Sequence, residues 1–162
     1  VTRFGELIRR LDEGGVEFIV IGGIAAIAHG TARATYDLDI VYRRTPENLD
    51  RMVRCLAPIA PYLRGAPPGL PFRFDVETLR AGLNFTLTTQ LGDLDLLGEV
   101  TGGGRYEDLA AETVEMEIFG QRCRCLGLER LIAVKRAAGR PKDFEAIAEL
   151  EALREEMERD RP

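Results

Sequence analysis

The chain is expected to fold as an α/β or α+β unit, a mixed β-sheet flanked by helices with a helical C-terminal segment. Three observations predict this. β-branched apolar runs alternate loosely with amphipathic helical patterns over the first half of the chain. Strand-like segments separated by short turns follow, from Asn84 to Leu126. The last stretch, from Leu128 onward, has helical periodicity. The 162 residues suffice for one domain with a buried core. Residues 1–162 are therefore read as one unit, with a core over about 1–126 and C-terminal helices over about 127–158.

Thr2 to Glu13 fits a helix. Phe4, Leu7, Ile8 and Leu11 form one apolar stripe, Thr2 is placed to cap it, and Gly14-Gly15 stop it. Val16 to Ile21 is a buried strand by its β-branched content. Gly22-Gly23 ends that strand with a turn that lets a ligand approach the main chain. Ile24 to His29 is small and apolar, a short helix against the sheet, whose start presents backbone N–H groups suited to phosphate. His29, the one histidine, is read as packed.

The loop Gly30–Tyr36 carries Arg33 and Thr35 and leads into Asp37-Leu-Asp39-Ile-Val-Tyr42. Residues two apart on a strand share a face, so Asp37 and Asp39 project together while Leu38, Ile40 and Tyr42 turn inward. Two carboxylates side by side repel unless a cation lies between them, and hard oxygen donors suit magnesium or manganese.

Thr45-Pro46-Glu47 opens the next helix, with Leu49, Met52, Val53 and Leu56 inward. Pro61 to Pro71 is a loop; its length and Arg64 make it a candidate flap, with a plain surface excursion the favoured reading. Phe72 to Leu79 is ambiguous between strand and helical turn. Asn84–Gln90 and Asp93–Leu97 are strands around a turn at Leu91-Gly92. Asp93 and Asp95 share a face, and either can complete a carboxylate triad; Asp95 lies deeper in its strand. Thr101–Gly104 is read as a flexible loop without the lysine or spacing of a phosphate-binding loop. Tyr106–Glu112 is a short helix, and Val114–Ile118 and Gln121–Leu126 form a hairpin across Phe119-Gly120. Leu128–Ala138 and Lys142–Glu158 are helices around a Gly139-Arg-Pro turn. In the last helix Phe144, Ile147, Ala148, Leu150 and Leu153 are expected inward.

Taken together, Gly22-Gly23, then Arg33-x-Thr35-x-Asp37-Leu38-Asp39, resemble the signature of the nucleotidyltransferase superfamily, the DNA polymerase β-like fold. The spacing is similar to that of its bacterial abortive-infection, type IV toxin-like branch and small relatives. Gly92-Asp-Leu-Asp95 resembles the family strand with a third carboxylate. Leu131 to Asp143 resembles the C-terminal helix signature of that branch. The resemblance implies a catalytic, metal-holding set of Asp37, Asp39 and Asp95. It also implies a nucleotide-binding set of Gly22, Gly23, Arg33, Thr35, Lys135, Lys142 and Asp143. The implied cofactor is Mg2+ or Mn2+, and the implied substrate is a nucleoside triphosphate. Transfer of the nucleoside monophosphate would be to a hydroxyl acceptor: an RNA or tRNA end in a toxin–antitoxin setting, a protein, or a small molecule such as an aminoglycoside. The alternative is a non-catalytic nucleotide-binding or interaction module on the same fold. Asp143 is open between a catalytic place, a helix cap and a pair with Lys142. Arg33 is open between phosphate and the aspartates, Lys135 between phosphate and a stem over the sheet.

Composition bounds the rest. The charge of −5 argues against indiscriminate nucleic-acid binding. Its distribution is uneven, however. Arg122 to Lys142 holds seven basic residues and one acid, whereas Asp143 to Asp160 holds eight acids and two arginines. The acidic helix is a candidate surface for an antitoxin partner or a homodimer. No apolar run reaches membrane-spanning length and the charged N-terminal stretch is unlike a signal peptide, so a cytoplasmic protein is expected. Cys55, Cys123 and Cys125 have no framework or zinc spacing and are read as thiols.

Overall fold

The computed structural model describes residues 1–162. Its frame is a seven-stranded mixed sheet. The strands are β1 (Phe18–Ile21), β2 (Asp37–Tyr42), β3 (Tyr62–Leu63), β4 (Asn84–Thr89), β5 (Gly92–Leu97), β6 (Thr113–Ile118) and β7 (Gln121–Leu126). Their spatial order is β3-β4-β5-β2-β1-β7-β6. β2 runs antiparallel to β1 and parallel to β5, and β1 runs parallel to β7. The central strands β1, β2 and β5 are the apolar-rich ones, as burial on two faces requires.

Seven helices cover the sheet: α1 (Phe4–Glu13), α2 (Gly22–His29), α3 (Pro46–Leu56), α4 (Val76–Ala81), α5 (Tyr106–Leu109), α6 (Leu128–Ala138) and α7 (Pro141–Arg159). α3 packs on both α1 and α4, while α2, α6 and α7 pack on one another around β1 and β2. Leu38, Ile40 and Tyr42 are fully buried, as their alternation predicts. None of the helices is long and apolar enough to cross a membrane.

Several local expectations change. Arg3 rather than Thr2 precedes α1. Thr2 instead donates its hydroxyl to the Tyr36 carbonyl and accepts from the Asp93 amide at 3.1 Å, which ties the chain start to the β2 and β5 ends. Gly22-Gly23 is not a separate turn: α2 begins at Gly22, directly off β1. The loop after Pro61 contains β3, a two-residue edge strand too short to leave a sequence pattern. Thr101–Gly104 is a tight hydrogen-bonded turn lying against α6, where a Cβ on Gly102 would sit 2.3 Å from that of Ala137.

On α7 the expected inward places of Ile147, Leu150 and Leu153 hold, and those of Phe144 and Ala148 do not. Asp143, Ala146, Ile147 and Leu150 face the core, while Phe144 is 61% exposed and Ala148 is exposed. Asp143 and Ala146 take inward places that hydrophobicity alone does not select. Asn48 is a buried anchor with no sequence signal. Its side chain accepts from the Glu17 amide at 2.7 Å and donates to the Glu17 and Arg43 carbonyls at 3.0 and 2.7 Å. All of its main bonding capacity is met, so its burial is not costly.

Candidate functional site

The parallel pairing of β2 with β5 places Asp37 beside Asp93 and Asp39 beside Asp95. Leu38, Ile40, Leu94 and Leu96 go fully into the core, and the four carboxylates stand on the opposite face. One oxygen from each of Asp37, Asp39 and Asp95 lies within 4.8 Å of the other two. Asp93, the other open choice for the third carboxylate, stands outside this group and faces Arg64 at 3.4 Å.

Gly22 sits under Asp39. Its φ is +68°, and a Cβ there would fall 2.0 Å from Asp39 Oδ2. Only glycine lets the carboxylate lie against the first turn of α2. Gly23 does the same for Thr35, whose Oγ1 would be 2.7 Å from a Cβ and donates to Asp37 Oδ1 at 3.3 Å.

Burial pushes the Asp39 carboxyl up to about 8, with Asp95 and Asp37 adding to the shift and Lys135 opposing it. Burial also raises Asp95. Arg64 and Lys135 offset the mutual repulsion of the carboxylates only in part. The donors of the set are all hard oxygens close together, a chemistry that fits magnesium or manganese and not a soft metal.

Asp39 and Asp95 line a cleft of about 450 Å³ that also takes in Gly22, Lys135 and Arg140, with Phe85 and Leu131 on its apolar walls. Lys135 is only 8% exposed and has no ion-pair partner; burial lowers its ammonium below the usual lysine range. Its head is not simply in water above the sheet. A hollow of about 600 Å³ elsewhere, lined by Arg43, Arg122 and Arg124, contains none of these groups. Arg43 and Arg122 there are already paired with Glu17, Glu107 and Glu115.

The other sequence candidates are placed differently. Arg33 does not reach the aspartates; it pairs with Glu145 and, at 3.1 Å, with Glu149 of α7. Lys142 is exposed on the first turn of α7 and lies outside the cleft. Asp143 is 2% exposed and caps α7. It accepts from the Arg140 amide at 3.2 Å and from its guanidinium at 2.8 and 3.3 Å, so its partner is Arg140 and not Lys142. Burial alone would raise its carboxyl, but Arg140 and Lys135 together hold it below the usual range. His29 Nε2 hydrogen-bonds the Leu126 carbonyl at 2.8 Å. Tyr36 is 78% exposed beside the carboxylates, not packed in the core.

Arg64 is the residue that the sequence undervalued. Its guanidinium lies 2.8 Å from Asp95, 3.4 Å from Asp93 and 3.9 Å from Asp37. The available signal was that Arg64 is the only charged residue between Ala57 and Pro71.

No family model and no curated protein matches the sequence. Solved structures do. The antibiotic-resistance factor ANT(2'')-Ia superposes with a TM-score of 0.57 at 17% identity, covering 96% of this chain and 89% of that one. The same protein in complex with adenylyl-2''-tobramycin gives 0.54 at 16% identity, over 93% and 92% of the two chains. A candidate nucleotidyltransferase from Thermotoga maritima gives 0.51 at 16% identity, over 98% and 96%. At these identities the likeness is one of architecture, and the chain has the nucleotidyltransferase fold.

Proposed function

We propose that the protein is a metal-dependent nucleotidyltransferase that moves a nucleoside monophosphate from a nucleoside triphosphate to a hydroxyl acceptor. The observation that carries this is the convergence of Asp37, Asp39 and Asp95 beside a cleft that also holds the cations Lys135 and Arg140. Asp37, Asp39 and Asp95 are the residues that would hold Mg2+ or Mn2+. A divalent cation bound there supplies charge to the phosphate oxygens and acidifies a nearby hydroxyl.

The chain's own groups have separate tasks. Gly22 and Gly23 let Asp39 and Thr35 lie against the first turn of α2, whose main-chain N–H groups would meet phosphate oxygens. Lys135, buried and unpaired, is placed to neutralise the triphosphate, and Arg140 at the cleft edge adds to it. Thr35 orients Asp37. Asp95 takes the acceptor proton as the acceptor oxygen bonds to the α-phosphorus; the α–β bridging bond breaks and pyrophosphate leaves. Lys142 and Asp143 belong to this site only through the first turn of α7, with Asp143 acting by positioning Arg140. Arg33 acts at a distance, as a brace between the aspartate loop and α7.

The acceptor is the finer part of the proposal. Motif resemblance supports an RNA or tRNA end, a cytoplasmic toxin–antitoxin setting and an antitoxin or second copy on the acidic α7. The adenylyl-tobramycin complex of a structural neighbour supports a small polyol amine as acceptor. The test is incubation with magnesium and each α-labelled nucleoside triphosphate, with tRNA and tobramycin as separate acceptors, beside Asp37→Ala and Asp39→Ala. Label reaching an acceptor only with both aspartates intact is expected. Absence of both transfer and magnesium-dependent nucleotide binding overturns the reading; binding without transfer leaves a nucleotide-binding module.

A further inference from the structure

Arg64 reaches the carboxylates from outside the elements that build them. It follows β3, the two-residue edge strand, and its backbone amide still pairs with the Thr86 carbonyl at 3.0 Å. One guanidinium nitrogen donates both to the Leu87 carbonyl at 2.6 Å and to Asp95 Oδ1 at 2.8 Å. The rest of the fork faces Asp93 and Asp37. Two of the three carboxylates that converge within 4.8 Å thus share a single positive charge supplied by the protein. Asp39, the third, lies on the Lys135 side of the cleft and has no ion pair with Arg64.

Beyond Arg64 the chain is held to Tyr62, whose hydroxyl donates to the Pro67 carbonyl at 2.7 Å and accepts from the Leu70 amide at 3.1 Å, and the tip of the loop is exposed. Nothing lies within 4 Å of where side chains would sit on Gly65 or Gly69, and Leu70 is 48% exposed. The Nε of Arg64 is buried without a well-directed hydrogen bond. An arginine held by a central, complete set of bonds would be a fixed strut. This one combines strong charge pairing with incomplete hydrogen bonding and a side chain still 27% exposed, the conditions under which a side chain can be exchanged for another cation.

We propose that Arg64 is a built-in placeholder for the divalent cation. It neutralises Asp37 and Asp95 in the metal-free protein, competes with the metal for them, and gives up its carboxylate contacts when the metal binds. The proposal rests on the metal-binding reading of Asp37, Asp39 and Asp95. Its consequence is that Arg64 sets the metal affinity of the protein before any nucleotide is present, since removing one positive charge from the carboxylates deepens the potential that the cation meets.

The test is Mn2+ binding to the full chain without nucleotide, followed by electron paramagnetic resonance, for the wild type, Arg64→Gln and Arg64→Lys. Arg64→Gln is expected to bind Mn2+ at least fivefold more tightly, whereas Arg64→Lys, which keeps the charge, stays within about twofold of the wild type. Equal or weaker binding by a folded Arg64→Gln protein overturns the placeholder and makes Arg64 a structural strut. No Mn2+ binding by any of the three proteins sinks the metal reading itself, and with it this one. A second readout is independent of whether the glutamine variant folds. In wild-type protein the Arg64 Nε–H resonance, assigned by its loss in Arg64→Lys, is expected to move on titration with Mg2+. A resonance that stays fixed while Mg2+ binds also overturns the proposal.

Discussion

Asp37, Asp39 and Asp95 stand on neighbouring central strands, whereas the cations facing them come from the periphery. Arg64 is on an edge loop, Lys135 is near the end of α6, and Arg140 is in the turn between α6 and α7. The carboxylates are fixed by backbone register, because a one-residue slip of β2 would put Leu38 and Ile40 outside and the aspartates in the core. The cations are fixed by side-chain contacts, by helix ends and, for Arg64, by one backbone bond at the sheet edge. One half of the cleft is therefore as rigid as the sheet, and the other half can adjust.

The largest effect expected from this difference is at Gly22, where the rigid half has no slack. Gly22→Ala places a Cβ on the Asp39 carboxylate in a backbone conformation that disfavours it. A loss of about 2 kcal/mol in urea unfolding and at least about a hundredfold in Mn2+ affinity is expected. Retention of metal binding would show that Asp39 can move and would break the comparison.

On the adjustable half, Asp143→Ala removes the α7 cap and the Arg140 partner together. About 1–2 kcal/mol of stability should go, with nucleotide binding weakened and Mn2+ binding by the strand carboxylates unchanged. Because its folded carboxyl lies below the usual value, its stabilisation is present above about pH 4 and is lost as pH falls through the lowered value. Chemical denaturation of the variant and wild type at pH 3 and pH 7 should thus converge at the lower pH.

Asp39 shows the opposite sign. With its folded value raised to about 8, the native state holds more protons than the unfolded chain over the interval above the ordinary 3.8. Metal-free stability should therefore fall as pH rises from about 4 to about 8, and Asp39→Asn should flatten that slope by several degrees in Tm. A pH-independent difference between the two proteins would show that the carboxylates are already neutralised, by Arg64 or Lys135.

The smallest effect is at Arg33. Its partners Glu145 and Glu149 are on an exposed helix face, so Arg33→Ala should cost at most about 1 kcal/mol and leave Mn2+ affinity unaltered. A large loss of metal binding would mean that the brace holds the Asp37 strand in place, and would move Arg33 into the rigid half.

How much of this was legible follows from the range of the forces involved. The alternation in Asp37–Tyr42 and Gly92–Leu97, the caps at Thr45 and Pro46, and the Phe119-Gly120 turn are local, so the sequence shows them directly. Asp95 could be placed near Asp39 only through a resemblance, because nothing between residues 39 and 95 fixes which strands pair. The exposure of Phe144 and Ala148 on α7 has no hydrophobic signal, and the burial of Asp143 beside them depends on its bonds to Arg140. Arg33 and Arg64 make the point in opposite directions. The arginine four residues from Asp37 turns to α7, and the one from a distant proline-rich loop takes the carboxylates.

By itself, then, the sequence determined the mixed-sheet class, most of the elements and the pair of aspartates on one face, since period, capping and turn chemistry act over a few residues. The tertiary structure decided which charges meet. Ion pairs carry no sequence period and depend on distances that exist only once β5 lies beside β2, the β3 edge is in place and α6 and α7 close over the cleft.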